Sequence, residues 1–241
     1  MSSAMSGNLK SIIFAIVLCL VCSVLLTAAS TGLKSYQQRN MAVDRHKNIL
    51  LALGIITDDQ PAGSGRIEAL YRDYVENLWV DHQGRIVPPE QHAAGNLPLY
   101  TYVKDHTVQS YAVPVDTRGL WGAIHGYLAI ENDGVTIRGF TVYQHSETPG
   151  LGGEIESHWF RKNFQGKKIT DQQGEFVSIR IAKGKVAEVI PNPRQQNYVD
   201  GISGATMTGK FLSAGLKEIL QGYEPVAINF RHHENRYLRV E

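Results

Sequence analysis

After residue 22 the 241-residue chain contains no cysteine. The part that follows has no disulfide framework, no zinc knuckle and no cysteine nucleophile, so its stability must come from an ordinary packed core. An excess of charge is also missing: 24 Lys and Arg stand against 23 Asp and Glu, a formal net of +1. A nucleic-acid surface needs a basic excess or stripe, and neither is present. The sequence lacks G-x-x-x-x-G-K-[ST] and any G-x-G-x-x-G after a strand, which removes the P-loop and dinucleotide-binding folds. It has no internal repeat and no low-complexity stretch. Long uncharged apolar runs are limited to one.

That run, Ile12 to Ala29 (IIFAIVLCLVCSVLLTAA), spans 18 residues. At 1.5 Å per helical residue it reaches about 27 Å, close to the ~30 Å hydrocarbon core of a bilayer. It is longer than a signal-peptide core of roughly 7–15 residues. The length therefore predicts an uncleaved single-pass anchor over residues 11–30 after a short segment 1–10. Lys10 before the run and TAAS at its end leave a signal peptide as the competing reading. Cys19 and Cys22 lie three apart, on one helix face. They read as small packing residues or as a pair needing ligands from other chains. Lys34, Arg39, Arg45 and Lys47 follow the run, so counting positive charge alone places the large domain in the cytoplasm. The span holds no charge and offers no ion path of its own.

Residues 31–57 carry apolar positions at helical spacing, and DDQPAGSG (58–65) breaks them. RIEALYRDYVENLWV (66–80) reads as an amphipathic helix. The short runs LYTYVKD, VQSYAVPV, GYLAIEND, TIRGFTVYQH, FVSIRIAKG and KVAEVI, separated by turn signals, predict antiparallel strands. GATMTGKFLSAGLKEILQGY closes with a helix whose apolar face includes Phe211, Leu212, Leu216, Ile219 and Leu220. The fold class is α+β: one transmembrane helix followed by a single mixed domain of antiparallel sheet and helices over residues 58–241. The final NFRHHENRYLRVE reads as a solvated tail, although His232, His233 and Glu234 are residue types that bind metal.

The stretch DGISGATMTG (200–209) places hydroxyls among glycines and alanine directly ahead of that last helix. A helix N-terminus exposes N–H groups and a partial positive charge, which suits a phosphate. Gly201, Gly204 and Ala205 would let such a group approach the main chain. An ordinary N-cap by Ser203 or Thr206 explains the same spacing. The segment is also one residue away from the G-x-S-x-G serine elbow, with Ala205 in place of the second glycine, which leaves open a hydrolase using Ser203 or Thr206.

DGISGAT further resembles the flavinylation motif Asp-x-x-Ser/Thr-Gly-Ala-Thr, here 200–206, of proteins that carry FMN as a phosphoester on the last threonine. HSETPGLGGEIESHWF (145–160), GLWGAIHGYLAI (119–130), LPLYTYVKD (97–105) and the single N-terminal span occur in the matching order. Together they resemble the C subunits of the Na+-translocating NADH:quinone reductases over nearly the whole chain.

The resemblance implies covalent FMN on Thr206, attached by a separate flavin transferase that uses FAD and Mg2+. That enzyme would have to activate the hydroxyl, since Thr206 Oγ1 is a weak nucleophile. It would read Asp200, Ser203, Gly204 and Ala205. Trp121, Glu147, Thr148 and Leu151 would lie against the isoalloxazine ring, with Ser203, Gly204 and Ala205 at the phosphate end. An apolar or aromatic face with a few directed hydrogen bonds is what such a ring needs. Thr208 falls outside the motif and is expected to make a helix-start hydrogen bond.

No catalytic residue and no metal ligand are implied. The protein would relay single electrons to a flavin on the B subunit, on the way to ubiquinone. It would do so among subunits of the A, B, D, E and F types in a bacterial inner membrane, and would not be active alone. The family's flavin domain is periplasmic, opposite to the charge count. Two other readings remain: the G subunit of an Rnf-type ion-translocating ferredoxin:NAD+ oxidoreductase, which shares ETPG and SGAT, and an extracytoplasmic binding or sensor module without covalent flavin.

Overall fold

The computed structural model describes residues 2–59 and 62–233, with side chains from residue 9 onward. The chain forms two compact units, Met1–Val43 and Asp44–Glu241. Helix α1 runs Ser2–Ala52. It is the one described helix long and apolar enough to cross a membrane, with a mean hydropathy of 2.9 in its most apolar window. That apolar run, free of Pro and of charge for 18 residues, sustains a helix well beyond the usual globular length.

The second unit is built on six antiparallel strands in the order β2-β1-β3-β4-β5-β6. These are β1 (Val75–Val80), β2 (Ile86–Val87), β3 (Leu97–Lys104), β4 (Thr107–Arg118), β5 (Ala123–Glu131) and β6 (Ile137–Gln144). Strands β3 to β6 form where the alternating runs predict them. The helix expected over 66–80 stops earlier: α2 is Ser64–Tyr74, and Val75–Val80 is strand β1. The reason is tertiary. Each residue of VENLWV has a partner on β3, from Val75 opposite Tyr102 to Val80 opposite Leu97, and that ladder outweighs the helical spacing.

One sheet face carries the main core. Tyr111, Val113 and Val115 of β4 and Leu128 and Ile130 of β5 share one core with helix α5 (Thr206–Gly222), whose Leu212, Leu216 and Leu220 are fully buried. Helix α6 (Glu224–Arg231) stacks Phe230 on Tyr111 with ring centroids 4.4 Å apart. The first residues of the expected tail are thus helical and partly core. His232 and His233 follow α6, while Glu234 lies outside the described residues. Helix α3 (His158–Lys162) brings Phe160 against Phe164, which stacks on Phe140 of β6 at 4.2 Å.

The opposite sheet face is aromatic and polar. Tyr127 sits edge-on to Tyr100 at 5.5 Å and stacked on Tyr143 at 5.6 Å. Burial raises the phenol pKa of all three above the ordinary value. The end of α1 seats here. Thr141 Oγ1 donates to the Asn48 carbonyl at 3.2 Å, and a Cβ on Gly139 would strike the Ala52 carbonyl, so only glycine admits the helix at that point.

FVSIRIAKG contributes only a two-residue strand, β7 (Arg180–Ile181), parallel to β8 (Tyr198–Val199). KVAEVI contains a short helix, α4 (Val186–Val189), instead of a strand.

Candidate functional site

Three segments converge on the start of α5. The first is the β4–β5 turn, where Gly119 N–H donates to the Gly122 carbonyl at 2.7 Å and the tight loop pushes Leu120 and Trp121 outward. Trp121 is 69 % exposed, far more than a core tryptophan. The second follows β6, from His145 through Gly152. Gly150 takes a left-handed φ of 73°, and Leu151 N–H and Gly153 N–H both turn back to the Thr148 carbonyl, at 3.1 and 2.9 Å. The third is 200–205, in which Gly204 has φ 73°. A Cβ on Gly204 would come within 2.8 Å of Leu151 Cδ2. These two loops therefore touch through a position that only glycine suits.

Between the segments lies an open cleft of about 210 Å³. Trp121, Glu147, Thr148, Leu151, Gly204, Ala205 and Thr206, all singled out in the sequence, line it. Leu120, Gly152, Met207 and Thr208 line it too. Leu120 stands inside the GLWG stretch, and position in that motif is the only sequence signal for it; Gly152 belongs to the glycine-rich ETPGLGG loop expected to lie close to the ring. Ser203 is exposed next to the cleft but is not part of its lining. Asp200 lies elsewhere: its Oδ1 accepts the Val186 N–H at 2.7 Å.

Thr206 is the first residue of α5 and is exposed. The cap position is Ala205, and no side chain makes a cap hydrogen bond. Neither Ser203 nor Thr206 acts as an N-cap, so no side-chain oxygen covers the amides and partial positive charge of this helix start, which borders the cleft. Around them, Leu120, Trp121, Leu151 and Met207 expose 40–69 % of their surface. Four large apolar side chains left open around the Thr206 hydroxyl and one helix start form a surface suited to a flat ring that ends in a phosphate.

Glu147 is only 4 % exposed. Its Oε1 accepts the Trp121 N–H at 2.9 Å, and its Oε2 accepts the Thr208 hydroxyl at 2.5 Å. Its own N–H donates to His145 Nδ1 at 3.1 Å, while His145 Nε2 lies 3.2 Å from Glu156 Oε2. The carboxylate thus ties the β4–β5 turn to α5 from beneath the cleft. Thr208 does not bond to the backbone of its own helix start, as the sequence suggests, but crosses to this carboxylate.

Trp121 also borders a wider groove of about 960 Å³ that runs between α5 and the ends of β4 and β5, past Thr117, Gly215 and Ile219. A separate polar hollow of about 300 Å³ near Arg180 and Arg194 contains none of the motif residues. Behind the 200–205 loop, burial lowers the Lys167 ammonium pKa, and the nearby Asp200 charge partly opposes the shift.

The FMN-binding domain family matches residues 119–221, which encloses all three segments of the cleft. Over 227 residues the chain is 34 % identical to the C subunit of the Na+-translocating NADH-quinone reductase of Yersinia pestis, covering 83 % of each protein. It is 31 % identical to the corresponding C subunit of Pseudomonas aeruginosa, covering 83 % of this chain and 87 % of that one. The crystal structure of the C subunit from Parabacteroides distasonis superposes with a TM-score of 0.68 at 30 % identity, covering 81 % of this chain and 96 % of that one.

Proposed function

The chain belongs to the family of C subunits of the Na+-translocating NADH-quinone reductases, and from that premise we propose that it is a membrane-anchored one-electron carrier with FMN esterified to Thr206. The observation that carries this reading is the exposed Thr206 hydroxyl on an uncapped helix start, ringed by exposed Trp121, Leu151 and Met207. The residues present fit the group. Trp121 and Leu151 offer an apolar face, Thr148 a hydroxyl at the cleft edge, and Gly204 and Ala205 a main chain the phosphate can approach. The bound flavin supplies the one-electron chemistry that no side chain in the cleft provides.

In the attachment step, Thr206 Oγ1 displaces AMP from FAD. A threonyl O–P bond forms to the FMN phosphate, the pyrophosphate P–O bond breaks, and the hydroxyl proton passes to the transferase. The chain does not activate Thr206 itself: Glu147, the one buried carboxylate in the cleft lining, is already engaged by Trp121 and Thr208. In this reading the ester keeps the cofactor at high effective concentration outside the cytoplasm.

The partners are the other subunits of the complex, with a flavin on the B subunit as the electron acceptor, and a flavin transferase during maturation. Residues 11–30 anchor the chain in the inner membrane with the flavin domain in the periplasm. The similarity to quinone-reductase C subunits favours this assignment over an Rnf-type G subunit. The FMN-binding match favours it over a module without flavin.

Co-expression with the transferase tests the reading by flavin fluorescence on a denaturing gel. The native chain fluoresces and Thr206→Ala is dark; a dark native chain would refute the covalent link. Protease added to intact spheroplasts digests the flavin domain, and protection of that domain would place it in the cytoplasm.

A further inference from the structure

Two carboxylates brace the ends of the 200–208 segment, one half-buried (Asp200) and one buried (Glu147). At its start, Asp200 Oδ1 accepts the Val186 N–H at 2.7 Å, and Gly201 N–H donates to the Gly184 carbonyl at 2.9 Å. A Cβ on Gly201 would strike the Ala182 carbonyl, so the chain passes against the β7–α4 connection with no clearance. At its end, Thr208, 1 % exposed, donates to Glu147 Oε2, and Glu147 Oε1 holds the Trp121 amide. A Cβ on Gly152 would come within 2.6 Å of Thr208 Oγ1 and 2.7 Å of Glu147 Oε2, so the second anchor is packed as closely as the first. Between the anchors Ser203, Gly204 and Thr206 are exposed.

Resting on the reading of Thr206 as the flavin acceptor, we propose that Asp200 and the Glu147–Thr208 pair are positioning residues that hold residues 203–206 in acceptor geometry before the transferase arrives. Asp200 acts through the Val186 amide and not through contact with the enzyme. Hydrogen bonds from an amide or hydroxyl to a carboxylate are charge-assisted and hold better than neutral ones. A loop fixed at both ends presents its hydroxyl in one orientation, and orientation is what a bimolecular transfer to a weak nucleophile most needs. The motif's acid is therefore required for the shape of the loop, and its own carboxylate faces the protein.

The test separates the amide from the acid, using the full chain. Val186→Pro removes the N–H and leaves Asp200 chemically intact. Val186 is the first residue of α4, and Lys185 before it is already extended (φ −70°, ψ 131°), which a following proline accepts. Val186→Pro and Asp200→Ala are both expected to slow flavin attachment tenfold or more. In the unmodified proteins both raise hydrogen exchange across 200–206 while Leu212–Leu220 stays protected. Asp200→Asn keeps an oxygen acceptor for the amide and is expected to retain most of the rate and protection. Thr208→Val raises exchange at 206–208 and at 119–122.

Full-rate attachment in Val186→Pro with none in Asp200→Ala would overturn the proposal. So would an Asp200→Asn variant that loses attachment while its exchange matches the native chain. If the native chain takes no flavin at all, the reading of Thr206 fails, and the exchange measurements still decide whether the two anchors fix the loop.

Discussion

In the first turn of α5, Met207 is 44 % exposed and the cap residue Ala205 makes no side-chain bond; further along the same helix Leu212, Leu216 and Leu220 are 0–1 % exposed. A missing N-cap costs a helix about 1 kcal/mol. Each buried leucine contributes roughly 1.5–3 kcal/mol, so the three more than offset it. One helix thus performs two tasks. Its rear half is fixed by the sheet, and its front turn can then keep open amides and apolar side chains that a self-sufficient helix would cover. Glu147 reaches that front turn from below through Thr208, which steadies it without filling the cleft.

The largest break in this contrast comes from the rear. Leu216→Ala is expected to cost about 2–5 kcal/mol in chemical denaturation, and flavin attachment falls with it because the front turn loses its support. Next is Gly204→Ala at the front. Its φ of 73° and the approach of Leu151 make alanine costly by roughly 1–2 kcal/mol. Adding Leu151→Ala relieves the steric part and leaves the backbone part. Trp121→Ala, with most of its surface already exposed, changes stability by no more than about 0.5 kcal/mol. Its effect is optical: the attached flavin loses a ring neighbour and fluoresces more strongly.

The smallest effect uses a residue outside the cleft lining. Burial raises the Glu76 pKa above its ordinary 4.5. The folded chain therefore keeps a proton on Glu76 at pH values where the unfolded chain has released it. Glu76 favours folding below about pH 4.5 and disfavours it as pH climbs through the raised value. Glu76→Gln should lift the thermal midpoint slightly at pH 7, leave it nearly unchanged at pH 4, and not alter flavin attachment.

The rear half of α5 is legible in the sequence because Leu212, Leu216 and Leu220 recur at helical spacing. The cleft loops are legible as Gly-rich stretches next to Trp121 and Thr206. What the sequence hides is pairing at a distance. Nothing local joins Glu147 to Thr208, 61 residues later, or Asp200 to the amide of Val186. Residues 75–80 carry helical spacing and become a strand only because β3 pairs with them. KVAEVI is too short to show a period, and α6 was concealed because Phe230, one of its buried anchors, is followed at once by a polar run that reads as a tail.

The central claim is most directly tested by the intact mass, under denaturing conditions, of the full chain matured with its flavin transferase beside its Thr206→Ala variant. The account predicts a native chain heavier than its amino acids by one FMN less one water, and a variant at the mass of its sequence. A native chain at sequence mass, or a variant that still carries the added flavin, would contradict it.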